Sequence, residues 1–458
     1  MSAPADAAGA AAARTRAILS GPPLPLLLRL AAPNALAFFV QACVNMAEVW
    51  YVGQLGTSAL AAMALAFPFL MLMQTMSGGA IGGAVSSSVA RALGASKPER
   101  AAALLWHALA IALGGALTFG ALYAAFGRTL LAHLGGSGAE LAQAAAYLDL
   151  LFAGGAALWL NAILASAFRG LGEMRFPALL MVLATALQVP LSGALVLGWW
   201  GAPALGISGA AVSVLAVASL SGLVSLLRLR RGIGAVRLTR AHFALERSAF
   251  ADILRVGALS ALSPVLTVLT VVALNATVAS FGATALAGYG IGARLEFLLI
   301  PLVFGLGAAM TATVGINVGA GQLERAHQIA WTGAAVAGAL TGTIGLVLAI
   351  WPQIWVGIFT DDPATFATGA SYLRTAGPAY VFQGLGLSLY FASQGARAVL
   401  WPVIGVCVRF AIAVGGGAAA VSLFGLGPRA VFACIAAGIA AYGLTTALAI
   451  RLGAWRRA

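Results

Sequence analysis

Gln41, Asn45 and Glu48 are the polar members of an otherwise apolar run, at intervals of four and three. On a helix those intervals place all three on one face. A second stripe, Tyr380, Gln383, Tyr390 and Gln394, offers amides and aromatic faces without fixed charge, which suits flat organic cations through cation–π contact. The same stripe also fits hydrogen bonding between helices. Thr185, Gln188 and Ser192 form a weaker version, and Asn275 adds one amide in another apolar run. Two ionisable groups, Glu296 and Arg409, lie well inside apolar runs of the second half. Arg294 is two residues from Glu296 and points to a different face, so Arg409 is the candidate partner. A structural ion pair and a transport role both fit that pair.

These residues draw their meaning from what surrounds them. The chain of 458 residues is 62% hydrophobic and only 8% charged, too few charges to cover a soluble fold. Its apolar runs of about 20 residues read as membrane-spanning helices. Twelve are expected, near 29–52, 58–84, 102–126, 142–166, 176–198 and 206–227, then 252–280, 285–313, 327–350, 370–393, 400–421 and 428–450. At membrane depth a central charge costs about 2.5–3.5 kcal/mol, so polar side chains there need a bundle interior or a wet cavity. Glu48 is expected to line such a cavity, continuing the Gln41–Asn45 stripe. The competing reading is an interfacial position, because about 7 Å of helix separates it from Gly53.

The spans repeat. LGTSALA at 55–61 returns as FGATALA at 281–287, and from Gly94 the offset settles at 225. Glu99-Arg100-Ala101 meet Glu324-Arg325-Ala326, Trp106 meets Trp331, Tyr147-Leu148 meet Tyr372-Leu373, Gly170 meets Gly395 and Pro177 meets Pro402. Two copies of six spans enter the membrane with the same orientation, so the repeat is parallel. Twenty Lys and Arg residues fall on the side of the two termini and the central link, and two, Arg128 and Arg429, fall opposite. Both termini and the link are therefore expected in the cytoplasm. The net charge of +13 follows from this bias and does not point to nucleic acid. The expected organisation is a cytoplasmic tail at 1–24, an N-lobe at 25–227, a link at 228–251, a C-lobe at 252–450 and a tail at 451–458. The first 20 residues read as a short cytoplasmic tail rather than a transit peptide. Cys43, Cys407 and Cys434 lie in apolar runs without metal-ligand spacing and read as small buried hydrophobes. No pair of histidines has metal or catalytic spacing.

The segments that narrow the fold are VNMAEVWYVGQLGTSALAAMAL at the end of the first span and SSSVARALGASKPERA after the second. Their counterparts are LNATVASFGATALAGYGI, GARLEFLLIPLVFGLG and VGINVGAGQLERA. Taken together they resemble the multidrug and toxic compound extrusion (MATE) family over essentially 25–450. The resemblance implies an all-α polytopic membrane protein of twelve helices in two pseudo-two-fold six-helix lobes, around a central cleft that alternates between faces. It implies secondary efflux of organic, often cationic, compounds in exchange for inward H⁺ or Na⁺. Many members carry Asp where this chain has Glu48. The sodium-linked NorM-like branch has acids where this chain has Thr267 and Gln383. The DinF-like branch has Asn and Asp where Thr185 and Val189 stand before Pro190.

A coupling acid must be embedded, reach a cavity and tolerate both protonation states, and only Glu48 and Glu296 are deep enough. Glu48 is the choice, because no arginine of its half stands ready to hold it ionised. The substrate cavity is expected to draw on Gln41, Asn45, Thr185, Gln188, Asn275, Tyr380, Gln383, Tyr390 and Gln394. No cofactor is expected. H⁺ is favoured over Na⁺, since a lone carboxylate makes a poor Na⁺ site. The expected setting is the plasma (bacterial inner) membrane, with a monomeric protein acting on small organic molecules. A flippase of lipid-linked precursors, the competing function, calls for extra helices or a strongly cationic cavity. A membrane enzyme calls for a reactive cluster at one bilayer face, which the sequence lacks.

Overall fold

The protein is described from a computed structural model covering residues 13–243 and 245–457. The first half of the tail expected at 1–24 lies outside the described residues. Six spans of the first half are α1 (Pro23–Gly53), α2 (Thr57–Gly94), α3 (Pro98–His133), α4 (Gly138–Ala153 continued by Gly155–Gly170), α5 (Arg175–Leu197) and α6 (Ile207–Arg231). Those of the second half are α7 (Arg247–Ala279), α8 (Ala283–Gly319), α9 (Leu323–Ile350), α10 (Pro363–Ala376 continued by Tyr380–Gly395), α11 (Leu400–Ser422) and α12 (Pro428–Arg451). Ten are long and apolar enough to cross a membrane as single helices. The other two, α4 and α10, are interrupted.

Most helices run several residues past the apolar segments that announce them, because their caps lie in the polar breaks. Pro98 opens α3 with Glu99 in its first turn, and three arginines crowd the last turn of α6. Those charges suit the two ends of a helix dipole. Between α1 and α2 the chain turns at Gly56, φ 108°, and between α7 and α8 it turns at Gly282, φ 101°. That left-handed backbone explains why a glycine stands in both copies of the repeated heptapeptide.

The interruptions correct two expected continuous spans. In α4 the helix bends by 56° at Gly154. In α10 a 3₁₀ turn at Gly377–Ala379 intervenes, and Gly154 and Ala379 are repeat equivalents. Hydropathy carries straight through both sites, whereas two glycines in α4 and a Gly-Pro pair in α10 release the backbone. Pi-helical turns at Thr75–Ile81 in α2 and Ala411–Gly416 in α11 are likewise invisible to hydropathy.

Among the described residues one compact unit takes 13–21 and Leu36–Gly257, and the other takes Pro22–Ala35 and the chain from Ala258. They are called the N-lobe and the C-lobe here. The N-lobe core centres on Val52, Ala62, Leu131, Leu148, Leu151 and Ala211, and the C-lobe core on Leu295, Tyr372, Tyr380, Phe432 and Ile439. Glycine lets helices touch. A Cβ on Gly170 of α4 would lie 2.6 Å from the Ser86 carbonyl oxygen of α2. A Cβ on Gly395 of α10 would lie 2.6 Å from the Thr311 carbonyl oxygen of α8. The two contacts are repeat equivalents, and each needs a residue without a side chain.

The link is not a loose connection. After α6 it carries an isolated Ile233–Val236 bridge and then a 3₁₀ turn at Arg240–His242. Trp106 Nε1 of α3 donates to the Thr239 carbonyl at 3.0 Å, and the Glu246 N–H donates to His107 Nε2 at 2.8 Å. Val236 and Leu238 are buried, so apolar anchors and α3 partners hold the segment on the N-lobe. Cys43 is exposed and Cys407 and Cys434 half-buried, against the expected burial. On a membrane-spanning helix an apolar side chain has no need of protein cover.

Candidate functional site

In the N-lobe the helix 1 stripe meets helix 5. Gln188 Nε2 on α5 donates to Glu48 Oε1 on α1 at 2.7 Å, and both side chains are buried. One turn away Gln41 Nε2 donates to Asn45 Oδ1 at 3.2 Å, and Thr185 Oγ1 approaches Gln41 Oε1 at 3.5 Å. Thr185 and Gln188 share a face of α5 by their spacing of three, so two stripes read separately in the sequence form one polar seam. Ser192 continues the α5 stripe and is fully buried. Asn45 is exposed, and Glu48, with a relative exposure of 7%, is not held at the surface. Among the described residues Glu48 has no ion-pair partner. The amide serves both forms of the acid, since Oε1 accepts from Gln188 whether or not Oε2 carries a proton.

The C-lobe arranges its acid differently. Arg409 Nη2 on α11 lies 3.3 Å from Glu296 Oε2 on α8, and Arg409 Nη1 donates to Gln383 Oε1 on α10 at 2.9 Å. The Tyr372 hydroxyl donates to Glu296 Oε1, and the Tyr380 hydroxyl approaches the same oxygen at 3.5 Å. Four helix segments thus converge on one carboxylate. Tyr372 packs edge to face against Tyr289 and against Phe432, with centroids 5.2 Å apart in each pair. Arg294 is elsewhere, over the Phe359 ring at 5.7 Å.

The α10 stripe divides in two. Tyr380 and Gln383 serve the Glu296–Arg409 cluster, whereas Gln394 Nε2 donates to the Tyr390 hydroxyl at 3.0 Å and approaches Ser260 Oγ of α7 at 3.4 Å. All four are buried within the C-lobe. Asn275 is exposed and is not brought to either cluster. Tyr372 is not legible in the sequence as a site residue, because its place just before the α10 break carries no distinctive spacing. Its repeat partner Tyr147, also buried, was visible only as part of the repeat. His107 was passed over as well. Its Nδ1 lies 2.8 Å from the Ala103 carbonyl while Nε2 accepts from the link, so the ring ties α3 to that segment.

The profile of the MatE family matches the chain twice, over residues 33–193 and 260–419, once in each half. The chain belongs to the MatE family. Members of this family are membrane transporters and not enzymes, and the twelve helices in two six-helix lobes are the family's architecture. Among curated relatives, the FAD transporter of Shewanella oneidensis is 27% identical over 82% of each chain. The multidrug resistance protein NorM of Burkholderia vietnamiensis is 26% identical over 93% of this chain and 92% of its own. A probable NorM of Thermotoga maritima is 25% identical over 82% and 81%. Among solved structures, an outward-facing MATE transporter superposes with a TM-score of 0.86 at 25% identity, covering 96% of this chain and 98% of its own. A Pyrococcus furiosus transporter of the MOP superfamily, described as having a binding pocket of reverse polarity, gives 0.88 at 24% identity over the same shares. The latter likeness speaks for the fold alone.

Proposed function

We propose that this MatE transporter exports organic compounds in exchange for protons, with Glu48 as the proton carrier, by alternating access. The observation that carries the reading is the contrast between the two membrane carboxylates. Glu48 is buried beside a neutral amide and, among the described residues, has no cation paired with it, whereas Glu296 has Arg409 and two tyrosine hydroxyls. Alternate loading and release of a proton asks for the first kind of environment. The Gln188 N–H aimed at Glu48 also opposes a bound Na⁺, which seeks several oxygens. In this reading the protein works as a monomer in the bacterial inner membrane, with both termini and the link in the cytoplasm, as the arginine bias supports. The polar, uncharged faces of Gln41, Asn45 and Thr185 suit organic substrates of varied shape.

A second substrate reading, export of a flavin nucleotide or similar metabolite, is favoured by the relative named a FAD transporter. Uptake into inside-out vesicles tests both. With an organic cation dye and with FAD as substrates, uptake is expected under an imposed pH gradient and not under an imposed Na⁺ gradient. Accumulation driven by Na⁺ at uniform pH would remove the proton assignment, and uptake of FAD alone would select the second substrate reading.

A further inference from the structure

The end of the N-lobe where α5 begins and α6 finishes gathers arginines that no acid matches. Arg175 opens α5, and Arg228, Arg230 and Arg231 close α6. Arg228 Cζ lies 5.1 Å from the centre of the Phe176 ring, so the two helix ends are neighbours at one level. The link then doubles back, and Arg237 Nε donates to the Arg230 carbonyl at 2.8 Å. All five arginines are exposed, and among the described residues none has an ion pair. Glu173, the acid nearest to Arg175 in sequence, is matched by Arg14 at 2.8 Å. Five like charges in one corner repel one another, and these neighbours supply no counter-charge.

The apolar residues beside these charges say where a counter-charge would come from. Leu179, Leu183 and Leu187 are exposed at intervals of four on α5. They lie opposite Thr185 and Gln188, the face that meets α1, so they look outward into the bilayer. On α6 the exposed Leu220, Leu223 and Leu227 form a matching stripe. Arg175 stands four residues before Leu179, and Arg231 stands four after Leu227. Each guanidinium therefore continues its leucine stripe, about 6 Å of helix beyond the last leucine, where acyl chains give way to headgroups. The C-lobe does without the first of these charges, since the repeat equivalent of Arg175 is Leu400, which opens α11. The fold does not require arginine there. Sidedness asks for arginine somewhere on this side, not for five around one outward-facing pair of stripes.

We propose that this corner of the N-lobe binds an anionic phospholipid of the surrounding bilayer. Its phosphodiester sits among Arg175, Arg228 and Arg231, and its acyl chains run along the leucine stripes of α5 and α6. A guanidinium presents paired N–H donors that match phosphate oxygens. Arg230 and Arg237 flank the site and add to the attraction, being within a Debye length of it. A zwitterionic lipid brings its own ammonium and leaves the corner's charge uncancelled, and a free phosphate has no chains for the leucines. The bound lipid clamps the start of α5 to the end of α6. The proposal is independent of the proton reading, as none of these arginines is a partner of Glu48.

The test is native mass spectrometry of the purified full-length protein in detergent, offered phosphatidylglycerol and phosphatidylcholine with the same acyl chains. The wild type is expected to retain phosphatidylglycerol in preference to phosphatidylcholine. Arg175→Leu, which copies the C-lobe, and Arg231→Gln should each weaken that retention about fivefold, and the double variant more. Both side chains are exposed, so the variants are expected to keep the wild-type Tm, measured on the same samples. Arg100→Gln removes the same charge from an exposed position at the start of α3 and should leave retention unchanged. Equal retention of the two lipids, full retention in the double variant, or an equal loss in Arg100→Gln would each overturn the proposal. So would displacement of phosphatidylglycerol by inorganic phosphate, which would assign the arginines to a soluble anion.

Discussion

An amide beside a carboxylate and a guanidinium beside a carboxylate place different demands on a proton. Gln188 can donate to Glu48 in either protonation state, whereas Glu296 is ion-paired with Arg409. Glu48→Gln is therefore expected to leave the protein folded and binding substrate, while abolishing transport driven by a pH gradient, and Glu48→Asp should retain part of it. Glu296→Gln should act on stability instead. It leaves the half-buried Arg409 without its counter-charge, at about 1–3 kcal/mol after allowance for its exposure, and replacing Arg409 by Met in the same chain should restore much of the loss. Vesicle transport and Tm measured on the same preparations separate the two. Normal pH-driven transport in Glu48→Gln, with its loss in a well-folded Glu296→Gln, would move the coupling site to the C-lobe. The candidate residues were legible because intervals of three and four survive in any apolar run. What the sequence left open was the partner: Gln188 lies 140 positions beyond Glu48, and no local pattern joins them.

Helices in this protein are held at their crossings by absent side chains more than by large ones. A methyl group on Gly170 or Gly395 would meet backbone oxygen at 2.6 Å, and backbone gives way poorly. Gly170→Ala and Gly395→Ala are each expected to cost about 1–3 kcal/mol by forcing α2 from α4, or α8 from α10. Gly78→Ala, where nothing lies within 4 Å, is the control. Similar Tm values for all three would show that the crossings relax freely. The repeat extends to backbone turns. Ser96 and Gly321 occupy equivalent positions with φ of 57° and 77°, as do Gly172 and Arg397 with 71° and 62°. A left-handed residue is thus maintained even where the glycine that favours it is missing. Hydropathy located every span but missed the breaks in α4 and α10. It measures how apolar a segment is, and the breaks arise from backbone freedom at Gly154 and at Gly377-Pro378.

For the whole molecule the arginine bias makes the sharpest prediction. A cysteine placed beside Asp361 in a version lacking Cys43, Cys407 and Cys434 should react with an impermeant reagent added outside the cell. One beside Arg237 should react only after the membrane is opened. The reverse pattern would invert the protein and undo the cytoplasmic placement of both termini. Burial of Val236 and Leu238 will slow labelling near the link, so a second site at exposed Phe243 guards against a false negative.

The division of α1 bears on how the protein is made. Residues 22–35 leave the ribosome ahead of the N-lobe, yet they belong to the other unit, where Ala35 meets Gly305. Most of the N-lobe can assemble as it is synthesised, with 247–257 arriving as its final piece. The opening turns of the first helix must wait through that whole interval with their eventual neighbours still untranslated. Such long-range closure is slow and leaves an apolar segment unsatisfied in the meantime. A stretch made ahead of the N-lobe thus finds its place only after it, and interrupted synthesis would leave the leading end of α1 without a home.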